Sequence, residues 1–150
     1  MEDILYFDTT HAITVHDEII NKSGGFKGIR DLGQLESILQ HIQNDLYYPN
    51  FEDKLTHLFY AINKGHTFSD GNKRSSIALA TYFMEINGYH FAFNKFTNEM
   101  ENIAVDVADN RIEKELLAKI ISSILYEDDY SEELKLNIIQ AKNINFENFE

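Results

Sequence analysis

Residues 75–86 read Ser75-Ser76-Ile77-Ala78-Leu79-Ala80-Thr81-Tyr82-Phe83-Met84-Glu85-Ile86, an almost unbroken run of apolar or small side chains. A helix that is apolar on every side has no face to offer water and is buried all round. Asn87-Gly88 follows as a stop signal, because glycine takes the left-handed conformation that commonly ends helices. The run predicts a central helix with the rest of the chain wrapped around it.

Working outward, the other apolar patterns have one face each. Downstream, Met100, Ile103, Ala104, Val107 and Ala108 give one amphipathic helix. Ile112, Leu116, Leu117, Ile120, Ile121, Ile124 and Leu125 give another. Upstream, Leu55, Leu58, Phe59 and Ile62 follow Tyr47-Tyr48-Pro49-Asn50, where proline drives the residue before it out of the helical region. Leu32, Leu35, Ile38, Leu39 and Ile42 form an earlier helix that Asp31 begins. Thr9 or Thr10 is the expected cap of the first helix, which carries Val15, Ile19 and Ile20 and ends at Gly24-Gly25. With one Pro and seven Gly among 150 residues, there is little material for the tight turns of a sandwich or barrel. The expected fold class is all-α, a helical bundle around a buried central helix.

Composition narrows the function. No Cys is present, which excludes a disulfide framework and a thiolate metal site. No signal-like segment or apolar run of spanning length stands out, so a cytoplasmic location without membrane attachment is expected. The formal charge of -12 repels phosphate backbones and argues against direct nucleic-acid binding. That acidity is uneven: Glu127-Asp128-Asp129 and Glu132-Glu133 come late, whereas Lys73-Arg74 lies mid-chain. A local cationic pocket in an acidic protein suits a small anionic ligand.

Such a pocket is foreshadowed just before the central helix, at His66-Thr67-Phe68-Ser69-Asp70-Gly71-Asn72-Lys73-Arg74. The first turn of a helix has N–H groups without internal partners and a positive end of the macrodipole, which together attract anions. Gly71, Asn72, Lys73 and Arg74 would add close backbone approach, an amide donor and two cations. His66 is suited to accept a proton near neutrality. Asp70 is suited to anchor Mg2+, which takes few protein ligands. The plain alternative is a capped, solvated helix start, but it leaves unexplained why so many charged and donor groups crowd the mouth of the most apolar helix.

The same nine residues, HTFSDGNKR, resemble the Fic-family signature HPFx[D/E]GN[G/K]R, with Thr67 in place of its proline. Lys73 and the surrounding stretches, Ser23-Gly24-Gly25-Phe26-Lys27-Gly28-Ile29-Arg30-Asp31 and Ile86-Asn87-Gly88-Tyr89 among them, are similar to the death-on-curing (Doc) branch of the Fic/Doc (Fido) superfamily. The resemblance implies a Fido domain over residues 1–127, with a short flap at 24–30 that helps hold a target peptide. Residues 128–150 would then be an acidic C-terminal helical extension. It further implies ATP and Mg2+ as the working ligands. His66 would be the catalytic base and Asp70 the metal anchor. Gly71, Asn72, Lys73 and Arg74 would bind the nucleotide's phosphates.

Doc-type members carry Lys where Fic-type members carry Gly, and they transfer the terminal phosphate of ATP rather than AMP. The implied reading is a toxin enzyme that phosphorylates a Ser or Thr hydroxyl of a target protein, translation elongation factor Tu being the implied target, with an antitoxin protein as a second partner. Two alternatives stay open: AMP transfer on the same fold, and a catalytically inactive regulatory binding module. His11, His16, His41, His57 and His90 read as surface or core residues rather than ligands. Ser123 to Asp128 and Asn143 to Asn148 partly match a self-inhibitory [S/T]xxxE[G/N] pattern, centred on Glu127 and Glu147.

Overall fold

Asp8, not the threonines after it, caps the first helix: its carboxylate accepts the His11 N–H at 2.9 Å. That bond satisfies one of the donors every helix start leaves free. The computed structural model describes residues 3–65 and 67–143. Helix α1 spans Thr9–Ser23, α2 Leu32–His41, α3 Phe51–Lys64, α4 Asn72–Ile86, α5 Phe93–Ala108, α6 Lys114–Tyr126 and α7 Glu132–Lys142, with a 3-10 turn at His90–Ala92. Asp31 caps α2 by accepting the Gln34 N–H, and Ser131 caps α7 by accepting that of Leu134. The architecture is all-α, and no strand longer than an isolated bridge occurs among the described residues. None of the described helices is long and apolar enough to cross a membrane.

The apolar run is α4, and it does hold the centre. Helices α1, α3 and α5 pack against it. Leu79, Ala80, Phe83 and Met84 are fully buried in a core shared with Leu55, Leu58, Phe59 and Ile62 of α3 and Phe96 and Met100 of α5. Burial is not complete all round, since Ile77, Ala78, Tyr82 and Ile86 are half-buried. The extended N-terminal segment covers part of that side. Phe7 meets Tyr82 and Phe83 edge-on, and Tyr6 stacks on Phe83. Asn87 fastens the segment by accepting the Leu5 N–H at 2.8 Å and donating to the Leu5 carbonyl at 3.0 Å. Gly88 follows with φ 85°, the left-handed turn that a helix stop asks of glycine. In the C-terminal part, Leu134 of α7 joins the same core.

A polar patch ties α2, α3 and α6 together. His57 Nδ1 lies 2.9 Å from Lys114 Nζ and 3.1 Å from the Tyr48 hydroxyl, and that hydroxyl also reaches His41 Nδ1 at 3.3 Å. Burial, then the charges of Lys114 and His41, push the His57 imidazole from 6.5 down to about 4. The folded chain therefore keeps His57 neutral while the unfolded chain protonates it, so its contribution is complete above about 6.5 and is lost towards about 4. Thermal melts between those two pH values should show falling stability on acidification. His57→Gln should flatten that slope; an unchanged slope would assign it to other groups.

Candidate active site

Gly71 is the hinge on which the site turns. It stands before α4 at φ 74° and ψ 24°, a left-handed conformation that costs glycine nothing and most other residues strain. Among the described residues no side chain caps the start of α4, in contrast with α1, α2 and α7. The N–H groups of Asn72, Lys73 and Arg74 in the first turn thus carry no side-chain cap among the described residues, and they lie at the positive end of the helix. Asp70, Gly71, Asn72, Lys73 and Arg74 all line one cavity of about 310 Å³, which Asn63 and Ala108 also border. A larger cavity of about 470 Å³ lies elsewhere, between α3, α6 and α7. Its walls include Glu52, Asp53, Glu127 and Glu133, a setting that repels phosphate.

Asp70 is held as an ionised carboxylate. One oxygen accepts the Gly71 N–H at 2.8 Å and the other the Phe26 N–H at 3.2 Å. Those two bonds, Gly71 first, hold the carboxyl below its ordinary range; burial opposes them, and Arg74 and His16 lower it further. Each oxygen keeps a further lone pair for a cation. Arg74 is half-buried and donates from Nη1 to the Gly24 carbonyl at 3.4 Å. Lys73 is exposed. Among the described residues there is no cluster of three or more His, Asp or Glu that could hold a metal by itself. A single carboxylate fits a cation that retains most of its waters.

Asn72 turns its side chain back on the loop. Its Oδ1 accepts the Phe68 N–H and its Nδ2 donates to the Phe68 carbonyl, both at 3.0 Å. This closed pair folds residues 68–72 into a fixed turn and leaves one Nδ2 hydrogen for another acceptor. Phe68 is buried and anchors the loop in the core. Asn72→Ala removes both bonds and leaves two backbone groups of a half-buried loop unpaired, so a loss of about 1–3 kcal/mol is expected in chemical denaturation. No change in the midpoint would mean that Phe68 alone sets the loop.

The segment expected to be a flap pairs with this loop. Ile29 and Phe68 form an antiparallel bridge. Arg30 and Asp31 donate their N–H groups to the Thr67 carbonyl at 2.9 and 3.1 Å, and Ser69 donates to the Gly28 carbonyl at 3.1 Å. Residues 24–27 are left exposed beside Asp70, with the Phe26 side chain 77% in solvent. Thr67, where the family signature has proline, is fully buried and donates from its hydroxyl to Gln34 Oε1 at 3.1 Å.

The structure therefore brings Asp70, Gly71, Asn72, Lys73 and Arg74 to one cavity. His66, expected as the base, lies outside the described residues, as does Glu147. Glu127 borders the acidic cleft instead of the cavity that Arg74 lines. Sequence reasoning missed three supports of the site: His16 against the Asp70 carbonyl, Gln34 on Thr67, and Gly25 beside the Asp70 carboxylate.

A helical bundle with this loop at the mouth of its central helix defines a class. Residues 6–84 match the Fic/DOC family, and the chain belongs to that family. It is 36% identical over 80 residues to "Protein kinase doc" of Escherichia phage P1, across 51% of this chain and 63% of that protein. It is 33% identical over 89 residues to "Toxin Doc" of Mycolicibacterium smegmatis (strain ATCC 700084 / mc(2)155), across 57% of this chain and 68% of that protein. The matched stretch spans less than two thirds of the phage protein's length, and both relatives put the chain on the Doc branch of the family.

Proposed function

We propose that this protein is a Doc-type toxin enzyme that transfers the terminal phosphate of ATP to a Ser or Thr hydroxyl of a target protein, a translation factor of the elongation factor Tu kind. The observation that carries the reading is the gathering of Asp70, Gly71, Asn72, Lys73 and Arg74 on one cavity at the uncapped start of α4. A polyphosphate matches that chemistry: free helix-start donors, two cationic side chains and one ionised carboxylate. The phage relative's name, a protein kinase, favours phosphate over AMP. The other relative's name supports the toxin role and, with it, an antitoxin partner.

In this reading Asp70 holds Mg2+, which shields the negative charge of the phosphates when bound. Arg74 and the first-turn N–H groups of α4 take phosphate oxygens. Lys73 adds a flexible point charge where Fic-type members have the space of a glycine, which alters how the nucleotide lies. His66 accepts the proton of the target hydroxyl as its oxygen attacks the terminal phosphorus. The bond from that phosphorus to the bridging oxygen breaks, and ADP leaves.

Intact-mass spectrometry of elongation factor Tu, incubated with the protein, ATP and Mg2+, tests this directly. A gain of one phosphate is the expected result. A gain of one AMP would replace the reading with adenylyl transfer. No change in that factor or in any protein of a cell extract would leave a regulatory binding module.

A further inference from the structure

We propose that His16 is a positioning residue of this site: from α1 it fixes the Asp70 carbonyl and thereby the orientation of the Asp70 carboxylate against its Gly71 and Phe26 N–H donors. His16 lies mid-helix, 54 residues before Asp70 and outside every motif, and its side chain is 1% exposed. Its Nε2 stands 2.7 Å from the Asp70 carbonyl oxygen. A carbonyl only accepts, so Nε2 carries the hydrogen. The ring lies flat on Phe68, with centroids 3.9 Å apart and planes 7° from parallel. One side chain thus grips the loop at two places, the ring of residue 68 and the carbonyl of residue 70.

Space filling does not account for a histidine here. Its other nitrogen, Nδ1, is buried without a hydrogen-bond partner, 3.5 Å from an Asp17 carboxylate oxygen. That nitrogen gains only a long contact to Asp17 in place of a hydrogen bond, and a phenylalanine would fill the same flat slot without burying it. What histidine supplies and phenylalanine does not is the donor to Asp70. The peptide plane it pins runs from the Asp70 carbonyl to the Gly71 N–H, and that N–H is itself a donor to the Asp70 carboxylate. Rotating the plane would swing the carboxylate's own support away from it. Losing outer partners of this kind typically costs about 10–100-fold in metal affinity or activity.

The catalytic consequence rests on the proposed phosphoryl transfer, whereas the structural one does not, and two variants separate them. His16→Phe keeps the stacking surface and removes the donor. His16→Gln keeps a donor of similar reach. Amide hydrogen exchange of the unliganded protein is the first readout. In His16→Phe, the Gly71 and Phe26 amides should exchange at least about tenfold faster while the melting temperature stays near wild type. In His16→Gln they should stay protected. In the transfer assay, His16→Phe should lower kcat about tenfold with little change in the KM for the target protein, and His16→Gln should recover most of it.

Wild-type exchange at both amides in His16→Phe would overturn the proposal. So would a loss of protection spread evenly over the core with a lowered melting temperature, the signature of packing alone. Should His16→Phe not fold, His16→Gln decides: retained protection supports the donor, and loss of protection at Gly71 and Phe26 overturns it. A wild-type protein that transfers nothing would remove the phosphoryl-transfer reading and leave the exchange comparison standing.

Discussion

Asp70→Asn is expected to lower phosphate transfer on the order of a thousandfold while the protein stays folded. The substitution keeps the shape of the side chain and removes its charge. It also disturbs the pattern of donors. Gly71 N–H points at one carboxylate oxygen and Phe26 N–H at the other, so an amide must turn its own NH2 towards one of them. Charge loss and local reorientation therefore act together on the proposed metal anchor. Because Gly71 and Phe26 hold the carboxyl below its usual range, Asp70 is ionised throughout the pH region where an imidazole titrates. The acid limb of the pH–rate profile should then report a histidine, and His66→Ala should remove that limb together with about a hundred- to ten-thousandfold of the rate. Rates by intact-mass time courses, with circular dichroism to verify folding, decide the matter. Activity retained in Asp70→Asn would mean that the cation is held elsewhere.

Much of this architecture is legible because its determinants are local. The largely apolar run 75–86, the stop at Asn87-Gly88 and the Asp31 cap each lie within one helix or its ends, and the structure reproduces them at α4 and α2. The first helix shows the limit of such reading. Both Thr9 and Asp8 are good caps by type, and only the observed bond from His11 N–H to Asp8 selects between them. Residues 70–74, at the junction of loop and helix, form a contiguous motif, so chemical type and spacing suffice to single them out. His16, Gln34 and Gly25 are not legible in this way. Each acts on the loop from 33 or more residues away, and no periodicity encodes a bond between residues 16 and 70 or between 34 and 67. Asn72 shows a third case. Its type suggests a donor for phosphate, yet its amide is already engaged on both sides of Phe68, a role that depends on how the turn closes.

Gly25→Ala is expected to cost about a hundredfold in transfer rate through a single added methyl group. Gly25 has φ 120°, where L side chains are strained, and a Cβ there would stand 2.5 Å from the Asp70 Oδ2 and 3.1 Å from Ile20 Cδ1. Something must move. Either the carboxylate rotates off its two N–H donors, or residues 24–27 lift and withdraw the Phe26 N–H from it. Both routes misplace the proposed metal anchor, while the core beneath α4 is untouched. Gly24→Ala separates this clash from backbone strain alone. Gly24 is also at positive φ, 80°, but a Cβ there meets nothing within 4 Å. Both variants should lose about 1–2 kcal/mol of stability for their unfavourable backbone angle. Only Gly25→Ala should lose most of its rate, with the loss in kcat rather than in the KM for the target. Equal rates in the two variants would mean that the approach of residue 25 to Asp70 has no part in catalysis, and that residues 24–27 serve the site only as a connection between α1 and α2.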